Sequence, residues 1–109
     1  MTTLQYSLWA ESTSMSDIKQ SFATMEELRQ YVAETLGKLE SLRYDQFPLT
    51  EDLLFRSGQP CAVYFCLHGP RQVHLSAVWE TDENRILFYA SCGRRVQRTE
   101  LVGAPRLVA

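Results

Sequence analysis

The sequence predicts a single α+β domain, an antiparallel β-meander of three to five strands with one amphipathic helix packed on one face. Two observations carry this prediction. Residues 61–92 contain three apolar segments of alternating character, separated by turn-forming residues. Residues 25–43 repeat apolar side chains at helical spacing behind a capping signal. A chain of 109 residues has the size of one domain.

The composition is that of an ordinary globular protein, with 45% hydrophobic and 22% charged residues. The formal net charge of −2 disfavours a dedicated nucleic-acid binder. No apolar segment approaches the length of a membrane span, and no signal peptide is recognisable. Cys61, Cys66 and Cys92 lack the C-x-x-C spacing. They are typical of reduced thiols, so we expect a cytoplasmic protein without membrane contact.

The N-terminal segment carries weak strand signals. Leu4, Tyr6 and Leu8 alternate with polar residues, which predicts a short strand. Residues 18–22 fit a second short strand or an extension of the helix that follows. The helix itself is predicted at 25–43, because Thr24 and Glu27 have the spacing of a capping box.

A connector is predicted at residues 44–60. Pro48 disfavours helix through Phe47. The segment Leu53-Leu-Phe55 is interpreted as a single helical turn that packs against the core. Ser57-Gly-Gln-Pro60 is interpreted as a break before the first strand of the meander.

Three strands are predicted at about 61–68, 72–80 and 85–91. A three-residue loop between the first two places apolar residues opposite one another: Leu67 with Val73, Phe65 with Leu75, and Val63 with Ala77. A four-residue loop after the second strand gives the pairs Trp79 with Ile86, Ala77 with Phe88, Leu75 with Ala90, and Glu80 with Arg85. The helix is expected to cover this apolar face, and Cys61 and Cys92 are predicted to lie on it as small buried hydrophobic residues.

The C-terminal part is predicted less sharply. Residues 94–101 fit a fourth strand, but neither of its faces is apolar, so it is expected at a sheet edge. Residues 103–109 contain Gly103 and Pro105 and are expected to be poorly ordered.

The same register brings chemically active side chains together on the opposite face. Cys66 is predicted opposite His74, with His68 two residues along the strand and Ser91 on the other side of His74. The candidate binding residues are those of this face and its basic rim, namely Tyr64, Cys66, His68, His74, Tyr89, Arg71, Arg94 and Arg95.

Three interpretations of this face remain open. A thiolate beside an imidazolium, or a Cys/His/His zinc set, indicates a thiol- or metal-dependent enzyme. Tyr64 and Tyr89 flanked by arginines are similar in kind to surfaces that bind single-stranded nucleic acid or another anion. The third interpretation is the ordinary half-polar, solvent-facing side of an antiparallel sheet.

The residue types favour the third interpretation, because no catalytic signature such as GxSxG, HExxH or GxxxxGK[ST] occurs in the chain. We therefore expect a non-enzymatic protein-interaction or regulatory module that uses neither a metal nor another cofactor. Its partner is expected to be another protein or a second copy of the chain, and an open sheet face or strand edge is the natural docking surface.

Overall fold

One six-stranded sheet organises residues 16–106, the part of the chain that the computed structural model describes. The strands are β1 (Ser16–Ser21), β2 (Leu49–Arg56), β3 (Gln59–His68), β4 (His74–Glu80), β5 (Arg85–Tyr89) and β6 (Arg95–Gly103). Their order across the sheet is β1-β6-β5-β4-β3-β2. Strand β1 runs parallel to β6, and every other neighbouring pair is antiparallel.

Helix α1 (Met25–Leu39) packs on one face of the sheet. The predicted cap is confirmed, because the Thr24 hydroxyl accepts from the Glu27 amide at 3.2 Å. The Glu27 carboxylate accepts from the Ala23 amide at 2.9 Å, one residue before the predicted Thr24 amide. The helix ends four residues earlier than expected. Gly37 packs closely against the segment that follows the helix. A Cβ at this position would stand 2.9 Å from the Leu42 carbonyl oxygen.

The core lies between α1 and the four central strands. Its buried members are Leu28, Val32, Leu36, Val63, Phe65, Leu67, Leu75, Ala77, Trp79, Ile86, Phe88 and Leu101. Helical residues contribute at a spacing of four, and strand residues contribute at every second position. The predicted α+β class and the predicted helix-covered face are therefore confirmed. The strand count is six, which exceeds the three to five expected.

Strand β2 is the main correction to the sequence prediction. Residues 53–55 do not form a helical turn but lie in an eight-residue strand paired with β3. Ser57 and Gly58 form the two-residue hairpin turn, with φ of 55° and 79°. Positive φ at both positions is characteristic of a type I′ turn, which matches the twist of the flanking strands. Pro60 stands beside the β-bulge after Leu54, a position where its missing N–H is tolerated.

The predicted register between β4 and β5 is confirmed for three pairs. Trp79 lies opposite Ile86, Ala77 opposite Phe88, and Glu80 opposite Arg85. The last pair is a salt bridge, with the Arg85 Nε 2.6 Å from the Glu80 Oε1. Strand β5 ends at Tyr89, so the expected fourth pair with Ala90 lies beyond the ladder.

Strand β6 exists as predicted, but it is not an edge strand, because β1 pairs with its outer side. Leu101 joins the core, and the polar core-facing residues Gln97 and Thr99 form hydrogen bonds inside the protein. The Tyr31 hydroxyl of α1 lies 2.7 Å from the Thr99 Oγ1, and Thr99 is fully buried. Gln97 donates to both hydroxyl oxygens.

The predictions for the two ends of the chain fall partly outside residues 16–106. The strand predicted over Leu4 to Leu8 lies outside the described residues. Gly103 is the last residue of β6, Ala104 packs against the core, and residues 107–109 are not described. Among residues 16–106, no helix combines the length and apolar character needed to cross a bilayer.

Candidate functional site

Cys66, His68 and His74 form a cluster on the sheet face away from α1. A ligand atom of each, either the thiol sulfur or a ring nitrogen, lies within 4.8 Å of those of the other two. Cys66 is buried, His68 is half-buried and His74 is exposed. The two imidazole rings meet edge to face, with centroids 4.9 Å apart. The three side chains thus form a small polar site that opens towards solvent at His74.

The cluster forms even though the predicted β3–β4 register was wrong. In the structure Cys66 lies opposite Ser76, and His68 lies opposite His74. The connection is a five-residue loop that contains a 3₁₀ turn at Pro70–Gln72, in place of the three-residue loop predicted. The register error is two residues, and a shift of two leaves every side chain on its predicted face.

Ser91 does not belong to this cluster. It follows the end of β5, and its hydroxyl donates to the Glu40 carboxylate at 3.1 Å. Cys92 is exposed and Cys61 is half-buried beside the bulge, so neither lies in the predicted apolar layer.

Thr50 belongs to the site and was missed from the sequence. Its hydroxyl lies 3.0 Å from the His68 Nε2 and 3.5 Å from the Cys66 carbonyl oxygen. Thr50 lies opposite Cys66 on β2, the strand that the sequence analysis did not predict. The Ser-Gly turn signal at 57–58 could have placed this strand and therefore this residue.

The environment of Cys66 does not favour catalysis by its free thiol. Burial raises the pKa of the Cys66 thiol above its ordinary value. An activated nucleophilic cysteine needs the opposite shift, since the thiolate is the reactive form. The uncharged thiol is therefore the dominant form at neutral pH.

The predicted basic rim gathers at one end of the sheet. Arg71 lies in the turn between β3 and β4, and Arg94 and Arg95 lie in and after the turn between β5 and β6. These two turns share an end of the sheet, and Tyr89 lies opposite Arg95. Tyr64 stands apart, in the middle of β3. The nucleic-acid hypothesis stays a prediction.

A run of consecutive exposed apolar residues lies elsewhere, on β2. Leu53, Leu54 and Phe55 are exposed to 39%, 44% and 54%, although they are consecutive residues of a strand. Alternation sends Leu53 and Phe55 to one face of the sheet and Leu54 to the other. At these three residues neither face of the strand is buried within the described region. These residues were expected to pack against the core, so their exposure is a correction to the sequence prediction.

A shallow cleft of about 370 Å³ adjoins Leu54 on the face away from α1. The charged side chains that line this cleft form salt bridges with one another, Arg85 with Glu80 and Arg56 with Asp82. These pairs leave the apolar strand, rather than the cleft, as the feature that points to a partner.

Comparison with protein-family models, with curated proteins and with solved structures finds no match for this chain. Its function is therefore inferred from its own residues.

Proposed function

We propose that this protein is a non-enzymatic protein-interaction module that binds another polypeptide by adding a strand to the edge of β2. The observation that carries the proposal is the run of three exposed apolar residues, Leu53 to Phe55, on the outermost strand of the sheet. Within the described residues, the outer side of β2 has no neighbouring strand. Its backbone N–H and C=O groups are free to form a new ladder.

The two outermost strands of the described sheet differ in a way that supports this proposal. Strand β1 carries Lys19, Gln20 and Ser21, and such charged and polar residues are typical of an edge protected against association. Strand β2 carries its charges at Glu51, Asp52 and Arg56, on either side of the apolar run. An exposed apolar run with a charged border is characteristic of a binding surface.

The partner we propose is a second copy of the chain. A twofold axis perpendicular to the sheet joins two β2 strands antiparallel and keeps both α1 helices on the same side. Such an axis must pass through a residue, because paired side chains have to share a face. An axis at Leu54 places Leu54 opposite its own copy, Leu53 opposite Phe55, and Asp52 opposite Arg56.

Neighbouring registers are less favourable. An axis at Leu53 places Asp52 opposite Leu54 and thus a carboxylate against an apolar side chain. An axis at Asp52 places two aspartates opposite each other, which is repulsive. The Leu54 register alone matches apolar with apolar and acid with base. Arg56 already contacts Asp82 at 3.4 Å, but this pair is exposed and holds Arg56 only weakly.

The test is a charge swap measured by sedimentation equilibrium. Asp52→Arg and Arg56→Asp each place like charges opposite one another, twice per dimer. At about 1 kcal/mol for each altered pair, either change weakens dimerisation about tenfold or more. The double variant restores the pair with its signs exchanged and is expected to recover wild-type dimerisation.

Val102→Lys is the matched control, because Val102 is 72% exposed but lies on β6. It is expected to leave the dimer unchanged. A wild-type protein that stays monomeric at high micromolar concentration contradicts the proposal. A dimer that tolerates both single charge changes contradicts the proposed register.

A further inference from the structure

We propose that Cys66, His68 and His74 bind one Zn²⁺ ion, with a fourth coordination position left open. This site is separate from the proposed dimer axis and goes beyond the proposed interaction module. The axis lies at Leu54, whereas the cluster adjoins Thr50, four residues away on β2. The starting observation is that three zinc-binding side chains bring their ligand atoms within 4.8 Å of one another. Thiolate and imidazole are the ligands that zinc prefers in proteins.

The sheet presents these ligands from a rigid support. Cys66 and His68 are two residues apart on β3, so both project from the same face. His74 begins β4 and lies directly opposite His68. All three ligands therefore come from one hairpin whose neighbouring strands restrain it on both sides.

The distances are compatible with coordination after a small movement. Tetrahedral zinc, with Zn–S near 2.3 Å and Zn–N near 2.0–2.1 Å, separates its ligand atoms by roughly 3.3–3.6 Å. The present limit of 4.8 Å requires these atoms to approach by about 1.5 Å at most. His74 is exposed and can rotate about its side-chain bonds, whereas the buried Cys66 provides the fixed point.

Thr50 provides the outer contact that a metal-binding histidine ordinarily has. Its hydroxyl is 3.0 Å from the His68 Nε2. A hydrogen bond at one ring nitrogen orients the ring and leaves the other nitrogen, Nδ1, for the metal. The Cys66 carbonyl oxygen can accept from the same hydroxyl at 3.5 Å, which allows the His68 Nε2–H to donate to Thr50. Thr50 is thus a positioning residue of the site.

The ligand set selects the class of metal. A soft thiolate with two imidazoles disfavours Mg²⁺ and Ca²⁺, which take oxygen ligands. Metal binding displaces the thiol proton of Cys66 to solvent, because the thiolate is the ligand. Three protein ligands leave one position of the tetrahedron for water or for an atom of a bound molecule.

The test is a titration of chelator-treated, tag-free protein with Co²⁺, a spectroscopic substitute for zinc. One Co²⁺ per chain is expected, with a thiolate-to-cobalt charge-transfer band and the visible bands of tetrahedral cobalt. Stoichiometric Zn²⁺ is expected to displace the cobalt and remove the charge-transfer band and the visible bands. Cys66→Ser abolishes the charge-transfer band, and Cys92→Ser, which changes an exposed cysteine outside the cluster, leaves it intact.

Two further variants keep the test decisive if Cys66→Ser fails to fold. His74→Ala changes an exposed side chain and is expected to weaken cobalt binding more than 100-fold. Thr50→Val is expected to weaken it about 10- to 100-fold, the usual effect of losing an outer-sphere partner. A wild-type protein that takes up no cobalt at equimolar concentration overturns the proposal. Cobalt binding that His74→Ala leaves unchanged overturns it as well.

Discussion

The Tyr31 hydroxyl on α1 lies 2.7 Å from the Thr99 hydroxyl on β6, and this contact ties the helix to a strand 68 residues away in the chain. Thr99 is fully buried, so its hydroxyl depends on partners inside the protein. Gln97 donates to both oxygens, at 3.3 Å to Tyr31 and 3.2 Å to Thr99. A closed polar network therefore occupies one border of an otherwise apolar core, and it is expected to contribute to stability.

Tyr31→Phe is expected to lower the free energy of unfolding by about 1–2 kcal/mol, because the buried Thr99 hydroxyl loses its nearest partner. The measurement is urea denaturation at one fixed protein concentration, so that dimerisation affects every variant equally. Tyr64→Phe is the control, since Tyr64 is exposed, and should change stability by less than about 0.5 kcal/mol. In a double-mutant cycle with Thr99→Val, purely additive effects would show that the two hydroxyls are not coupled.

The hairpin turn at Ser57 and Gly58 makes a second prediction. Gly58 has φ of 79°, and a Cβ there would meet no atom within 4 Å. Gly58→Ala therefore tests the backbone alone, and it is expected to cost about 1–2 kcal/mol because L-residues are strained in this region. Ser57→Asn introduces a side chain that tolerates positive φ, and it should leave the stability unchanged or raise it slightly. Equal denaturation midpoints for wild type and Gly58→Ala would argue against the type I′ turn.

The buried thiol of Cys66 makes a third prediction. In the Cys61→Ser/Cys92→Ser background, freed of metal, only Cys66 reacts with iodoacetamide. Burial raises the pKa of this thiol, so its alkylation rate should reach half its maximum at a pH above the ordinary value of about 8.5. A midpoint at or below that value would contradict the burial of Cys66.

The same shift has a consequence for stability. The folded protein holds the thiol proton more tightly than the unfolded chain does. Its stabilising contribution is therefore fully present below the ordinary thiol pKa and is lost as the pH rises through the raised pKa of the folded state. The free energy of unfolding should decrease over this alkaline range, and Cys66→Ala should reduce the decrease.

Local patterns in the sequence were sufficient for much of the fold. The cap at Thr24, the helical spacing after it and the alternation within 61–89 identify α1 and strands β3 to β5, because each depends on residues close together in the chain. The four-residue loop gave the β4–β5 pairs. Alternation also placed Cys66, His68 and His74 on one face, since a register error of two residues preserves the face.

The sequence by itself thus determined the α+β class, the apolar face of the meander and the membership of the Cys/His/His cluster. Tertiary structure alone decided which strands are outermost in the described sheet, because pairing between β1 and β6 joins residues about 80 positions apart and leaves no local pattern. It placed Thr50 beside His68 through a hairpin whose first strand has no buried face to mark it. Tertiary structure also decided that Leu53, Leu54 and Phe55 are exposed. An apolar run has the same sequence pattern whether or not a neighbouring element covers it.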